Sequence, residues 1–247
     1  MIPIKDTIHS RSFPLVTWLL IIVNVLVFAL IELPLGSSQL DRLMTTYGVT
    51  PALCAEPILK SVSSFALPRL GTLFNGCAIP LFTSMFLHGG WVHIIGNMWV
   101  LFIFGDNVED RMGSARYLIF YLVCGIASGL TQAFIDPASK VPAIGASGAI
   151  AGVLAAYLLF FPNARVVTFI PLFILPWFVN LPALIFIAIW FLLQFFSGVL
   201  ALGAASAGGV AYWAHVGGFV CGLLLVWLFA GRSRRQPRSY PDEYYPW

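Results

Sequence analysis

The 247-residue sequence predicts an all-α membrane protein built from six transmembrane helices. Three observations predict it. Hydrophobic residues make up 60% of the chain and charged residues only 9%, where an ordinary soluble domain carries about 25% charge. Mean hydropathy is +0.91, and apolar runs approach the roughly 20 residues a spanning helix needs again and again. The basic residues are unevenly placed. Lys5, Arg11, Arg111, Arg116, Arg165, Arg232, Arg234, Arg235 and Arg238 fall on one side of the threading, against Arg42, Lys60, Arg69 and Lys140 on the other. The richer side is the cytoplasmic one. Both termini then lie there, and the number of spans is even.

The elements follow in order. Residues 1–13 are a short polar cytoplasmic arm. Residues 14–33 form the first span, and the absence of a small-x-small site after it favours an uncleaved anchor over a signal peptide. A long extracytoplasmic connection, residues 34–89, mixes Pro, Gly, Ser and scattered charges with apolar patches too short to span. It reads as an ordered loop, partly on the membrane surface. Its Cys54 and Cys77 form a disulfide if the loop faces an oxidising space. Cys124 and Cys221 lie in apolar runs and read as small core residues.

The second span covers about residues 90–105, followed by the charged turn GDNVEDRMGSAR. The third covers 117–135. The fourth runs only from 147 to 161 and is closed by Pro162 and Arg165. Residues 166–196 are apolar throughout, but Pro171, Pro176 and Pro182 interrupt the first half. Proline breaks the helical ladder. That half is therefore placed at the interface, and the fifth span at 181–196. The sixth covers 209–230, which completes a 14–230 membrane domain. Residues 231–247 form a basic, proline-bearing tail expected to be disordered and to touch anionic lipid.

Polar groups inside spans are functional candidates by default. Spans two, four and six run in the same direction, and each has its notable polar residues in its first half: His93 and Asn97, Ser147, and His215. Span four has about 15 residues, roughly 22 Å at 1.5 Å each, against a hydrocarbon core of about 30 Å. With its inner end pinned, Ser147 starts roughly 8 Å inside the membrane. His215 lies about six residues into span six, roughly 9 Å down. The two depths agree. His215, Gly218 and Gly222 share one helical face, and Ser147, Gly148, Ala149, Ala151 and Gly152 offer small residues for that face to approach.

The chemistry follows from the residue types. A serine hydroxyl is a weak nucleophile and needs an adjacent base. No Asp or Glu lies in the first half of an even-numbered span, so a Ser147–His215 dyad is more economical than a triad. His93 and Asn97, at i and i+4, can donate hydrogen bonds to a developing oxyanion, joined by the Ser147 backbone N–H at a helix start. The rival readings are a small-residue packing patch at Gly145–Gly148, and simple interhelical bonding by His93 and Asn97. His88 reads as loop or rim, with an accessory role open. Asn24, Gln132 and Gln194 read as interhelical glue. A metal or haem site lacks a carboxylate partner or a His-Glu-x-x-His pattern, so no metal and no cofactor are expected. No cationic stripe is interleaved with aromatics, which argues against nucleic acid.

Gly145-Ala146-Ser147-Gly148 resembles the Gly-x-Ser-Gly nucleophile motif of rhomboid intramembrane serine proteases. His93 and Asn97 resemble that family's His-x-x-x-Asn motif. Ala214-His215-x-x-Gly218-x-x-x-Gly222 resembles its Ala-His-x-x-Gly-x-x-x-Gly motif. Glu109-Asp110-Arg111 resembles its structural Glu-x-Arg element. The resemblance covers residues 14–230, in order. It implies a six-helix rhomboid-like bundle with a water-accessible cavity open to the outside. It also implies a serine endopeptidase that cleaves transmembrane helices of other proteins, with span five on the side where substrate enters. Two features depart from the pattern: Ala151 stands where some bacterial members have a tyrosine, and the long loop lacks the Trp-Arg pair of some members. The alternative is a catalytically silent relative that binds membrane helices. A small transporter would show paired interrupted helices in two halves, and only one broken region is present. The expected location is a bacterial or archaeal plasma membrane.

Overall fold

The computed structural model describes residues 1–64, 70–172, 175–203 and 210–231. The tail beyond 231, with its four arginines, the connection 204–209 and Arg69 lie outside the described residues. The chain opens with a strand, β1 (Ile2–Asp6), and enters helix α1 (Leu15–Val27), which continues through a π-helical turn to Glu32. Helices α2 (Ser37–Tyr47), α3 (Pro51–Ser64), α4 (Leu70–Leu73) and α5 (Ile79–Thr83) build the long connection. Then come α6 (Trp91–Met112), α7 (Ser114–Ile135) and α8 (Ser147–Phe160). A hairpin, β2 (Arg165–Leu172) and β3 (Leu175–Pro182), leads into α9 (Ala183–Gly203), and α10 (Tyr212–Phe229) closes the bundle.

Among the described residues, four helical segments are long and apolar enough to cross a membrane: Leu15–Glu32, Ser114–Ile135, Ala183–Leu202 and Tyr212–Phe229. The segments Gly71–Phe86 and Trp91–Met112 together make a fifth, bent by 79° at the break. The remaining apolar helix is α8, with 14 residues. At 1.5 Å per residue it is about 21 Å long, short of the roughly 30 Å core. It is also the centre of the bundle. Every residue from Gly148 to Tyr157 is buried, with α6, α7, α9 and α10 packed around it. A helix apolar on all sides belongs in such a position.

Four expectations need correction. The fold is not wholly helical, because β1, β2 and β3 form an antiparallel sheet in that order. The proline-interrupted stretch is its hairpin, with Pro171 opposite Pro176 beside the turn and Pro182 at the strand end. Proline cannot propagate a helix, but strand ends tolerate its missing N–H. The polar arm is structured, and its first residues form an edge strand. Ile2 pairs with Phe169 and Asp6 with Val166, while the Asp6 carboxylate accepts from Tyr157 Oη at the end of α8 and from Asn107 Nδ2. Burial there pushes the Asp6 carboxyl up to about 7. The second span does not stop at residue 105, and α6 runs through the charged stretch to Met112. It can do so because Glu109 is fully engaged. Its carboxylate accepts the Val16 and Thr17 N–H groups at 2.9 and 2.8 Å, the Thr17 hydroxyl at 2.8 Å and the Ser114 hydroxyl at 2.6 Å. An acid at a helix N-terminus satisfies orphan donors and complements the dipole. The fifth span is likewise longer than 181–196, as α9 continues through Gly203.

The long connection is ordered, and its helices frame the loop before α8. Val49 and Ala143 exchange both backbone bonds, at 2.9 and 2.8 Å, and Ala52 N–H reaches Ser139 O at 3.0 Å. A disulfide joins Cys54 to Cys77, with Cα atoms 4.4 Å apart.

Candidate active site

The site starts from a glycine. Gly145 has φ +116°, a conformation L side chains rarely adopt, and its N–H is held by Ser84 O at 2.8 Å. A Cβ at this position would stand 2.6 Å from His93 Nε2 and 3.5 Å from Asn97 Nδ2. The bare backbone lets α6 bring both side chains against the turn that delivers Ser147, the first residue of α8.

Opposite lies α10. A Cβ at Gly218 would overlap the Gly148 carbonyl, and one at Gly222 would stand 2.6 Å from Gly152 O. The two helices therefore meet backbone to backbone, which is what small residues at a membrane-helix interface permit. That approach places His215 Nε2 2.7 Å from Ser147 Oγ. The other ring nitrogen, Nδ1, is 2.7 Å from Gln194 Oε1 on α9. Trp190, one turn earlier on α9, lies beside the imidazole with ring centroids 5.9 Å apart and planes tilted by 38°. Gln132 of α7 accepts the Ala214 N–H at 3.2 Å, which caps the start of α10 next to the base.

Tautomers follow from these partners. An amide oxygen only accepts, so Nδ1 of His215 carries the proton and Nε2 presents a lone pair to the serine hydroxyl. His93 is set the other way round. Its Nδ1 accepts the Gly89 N–H at 3.3 Å, which leaves Nε2–H as a donor beside Gly145. Asn97 is 8% exposed, and its Nδ2 is buried without a hydrogen-bond partner. A hydroxyl on a base, with two donors and a helix start close by, can attack a carbonyl and hold the resulting oxyanion.

The structure brings Ser147, His215, His93, Asn97, Gly145, Gly148 and Gly218 together, with Gly222 one turn further along the contact between α8 and α10. Glu109 and Arg111 lie apart, at the far end of α6. Glu109 caps α1, and Arg111 lies over the Phe160 ring at 5.4 Å. His88 is not on a rim. It is 1% exposed, its N–H bonds to the Glu32 carboxylate at 3.0 Å, and its ring meets His93 edge-on at 5.1 Å. Asn24 does not bridge helices through its donor, which returns to Leu20 O on its own helix at 2.7 Å. Gln194 does bridge helices, and its partner is the base. Sequence spacing gave one usable signal for it: Trp190 and Gln194 are i and i+4 on one face.

The architecture and this site define a multi-pass helical membrane protein with a serine–histidine pair at the start of a short central helix. Residues 75–232 match the Rhomboid domain model. The chain belongs to the rhomboid family. Among its relatives, RHOMBOID-like protein 1 of Arabidopsis thaliana is 28% identical over 92% of this chain and 58% of its own length. The rhomboid protease GluP of Bacillus subtilis is 29% identical over 62% of this chain and 26% of its own. The human mitochondrial presenilin-associated rhomboid-like protein is 29% identical over 62% and 35%. The alignments thus cover between a quarter and three fifths of these relatives. These relatives come from a plant, from human mitochondria and from a bacterium, so they do not single out the bacterial or archaeal membrane expected from the sequence.

Proposed function

We propose that this chain is an intramembrane serine endopeptidase that hydrolyses peptide bonds in or near transmembrane helices of other proteins. The observation that carries this reading is the 2.7 Å contact of His215 Nε2 with Ser147 Oγ, on a ring whose other nitrogen is tied to an acceptor. Six crossings, with α8 and the bent pair each counted as one and both termini cytoplasmic, are the topology that fits the basic-residue bias. Ser147 then lies below the outer surface, and the loop before it dips into the membrane lined by protein.

In this reading Ser147 Oγ attacks the scissile carbonyl and passes its proton to His215 Nε2. The oxyanion accepts hydrogen bonds from Asn97 Nδ2, His93 Nε2–H and the Ser147 N–H. The tetrahedral intermediate collapses, the amine leaves with the proton from His215, and water attacks the acyl-enzyme with His215 again as base. No step requires a metal or cofactor. A single-span reporter reconstituted with the protein should be cut, and Ser147→Ala should abolish the cut. Equal cleavage by Ser147→Ala would remove the reading. A silent helix-binding relative would bind the reporter and never cut it.

The unpartnered Asn97 amide supports a second expectation. A buried donor without a partner costs about 1–3 kcal/mol, so Asn97→Ala should leave thermal stability nearly unchanged. Loss of one oxyanion donor costs about 10²–10³ in rate. Parallel loss of kcat and melting temperature would instead make Asn97 a structural residue.

A further inference from the structure

We propose that Gln194 is the positioning residue of His215, doing with a neutral amide what a carboxylate does in a catalytic triad. The inference rests on the protease reading above and names a part that reading leaves open. His215 has two ring nitrogens, and only one arrangement makes it a base toward Ser147: Nδ1 protonated, Nε2 bare. Something must accept from Nδ1. Among the described residues no carboxylate bonds to the ring, and Gln194 Oε1 sits 2.7 Å from Nδ1.

The choice of an amide follows from the surroundings. A carboxylate held inside the hydrocarbon region carries a large desolvation cost, whereas an amide oxygen accepts the same hydrogen bond without charge. Gln194 also does not act alone. Trp190 lies one turn away on the same face of α9, and its ring stands beside the imidazole, with centroids 5.9 Å apart. The indole limits ring tilt, and the amide fixes rotation and tautomer. When the serine proton arrives, the imidazolium donates from both nitrogens. The Gln194 bond then becomes charge-assisted and stronger, which favours the transition state over the ground state.

The test uses the full chain in detergent and in liposomes. Gln194→Leu keeps the volume and removes the acceptor, while Gln194→Glu keeps an acceptor in either protonation state. Gln194→Leu should lower kcat about tenfold to a hundredfold, with KM nearly unchanged and the melting temperature lowered by no more than the loss of one hydrogen bond. Gln194→Glu should restore most of the rate. If the leucine variant melts early, Gln194→Met serves in its place. Imidazole nitrogen NMR shifts provide a readout free of activity, since the chain holds only four histidines. The wild type should show His215 with its proton on Nδ1, and Gln194→Leu should show both tautomers. Unchanged kcat in Gln194→Leu, an equally slow Gln194→Glu, or an Nε2-protonated ring in the wild type would overturn the proposal. Cleavage surviving in Ser147→Ala would sink the protease reading, whereas a dead Ser147→Ala beside a fully active Gln194→Leu would remove Gln194 alone.

Discussion

Replacing His215 with alanine should end proteolysis while the bundle stays folded. The base contributes about 10²–10⁴ in rate, and no second imidazole is placed to substitute: the Nε2–H of His93 faces Gly145 as a donor. The structural cost is small by comparison. His215 makes two side-chain hydrogen bonds, to Ser147 and Gln194, and it is only half-buried. Their net loss comes to about 1–3 kcal/mol. The glycines that seat α10 on α8 are untouched by the change. Cleavage rate and thermal melting, measured on the same purified sample, separate the two effects. Retained cleavage would end the dyad, and loss of cleavage only in step with loss of fold would make His215 a packing residue.

The second large effect is on stability. Gly218→Val should prevent α10 from seating on α8. Even a Cβ at this position overlaps the Gly148 carbonyl, and a backbone atom in the buried first turn of α8 cannot turn aside. Overpacking of a well-packed core costs typically about 1–3 kcal/mol and sometimes more, and here the whole of a β-branched side chain must be placed. The same displacement carries His215 away from Ser147, so activity should fall with the melting temperature. Gly96→Ala is the control. Nothing lies within 4 Å of a Cβ at that position, and alanine in a helix interior gains about 0.5–1 kcal/mol over glycine. A Gly218→Val protein that melts like the wild type would mean that α8 and α10 do not meet there.

Much of the site was legible because its geometry is local to single helices. Ser147 opens the short helix α8, and the i, i+3, i+7 spacing of His215, Gly218 and Gly222 put the imidazole on the face that makes the close approach. What was not legible depends on partners far apart in the chain. The hydrogen bond of Gln194 to His215 links positions 21 residues apart across two helices, and one glutamine in an apolar run looks like any other. The charged end of α6 looked like a turn because most of the donors that absorb the Glu109 carboxylate come from α1, more than 90 residues earlier. The sheet was hidden for the same reason. The prolines of residues 171–182 excluded a helix, but nothing local showed that residues 2–6 would pair there. His88 was misplaced because Gly89 and Gly90 mark a loop without showing that Glu32 and His93 enclose it.

One measurement bears most directly on the central claim, that Ser147 is a nucleophile activated by His215. The purified protein is treated with a fluorophosphonate probe, and the modified residue is located by peptide mass. A single adduct should form on Ser147 and none in Ser147→Ala. Labelling that persists in Ser147→Ala, or a folded wild-type protein that takes no label, would contradict it.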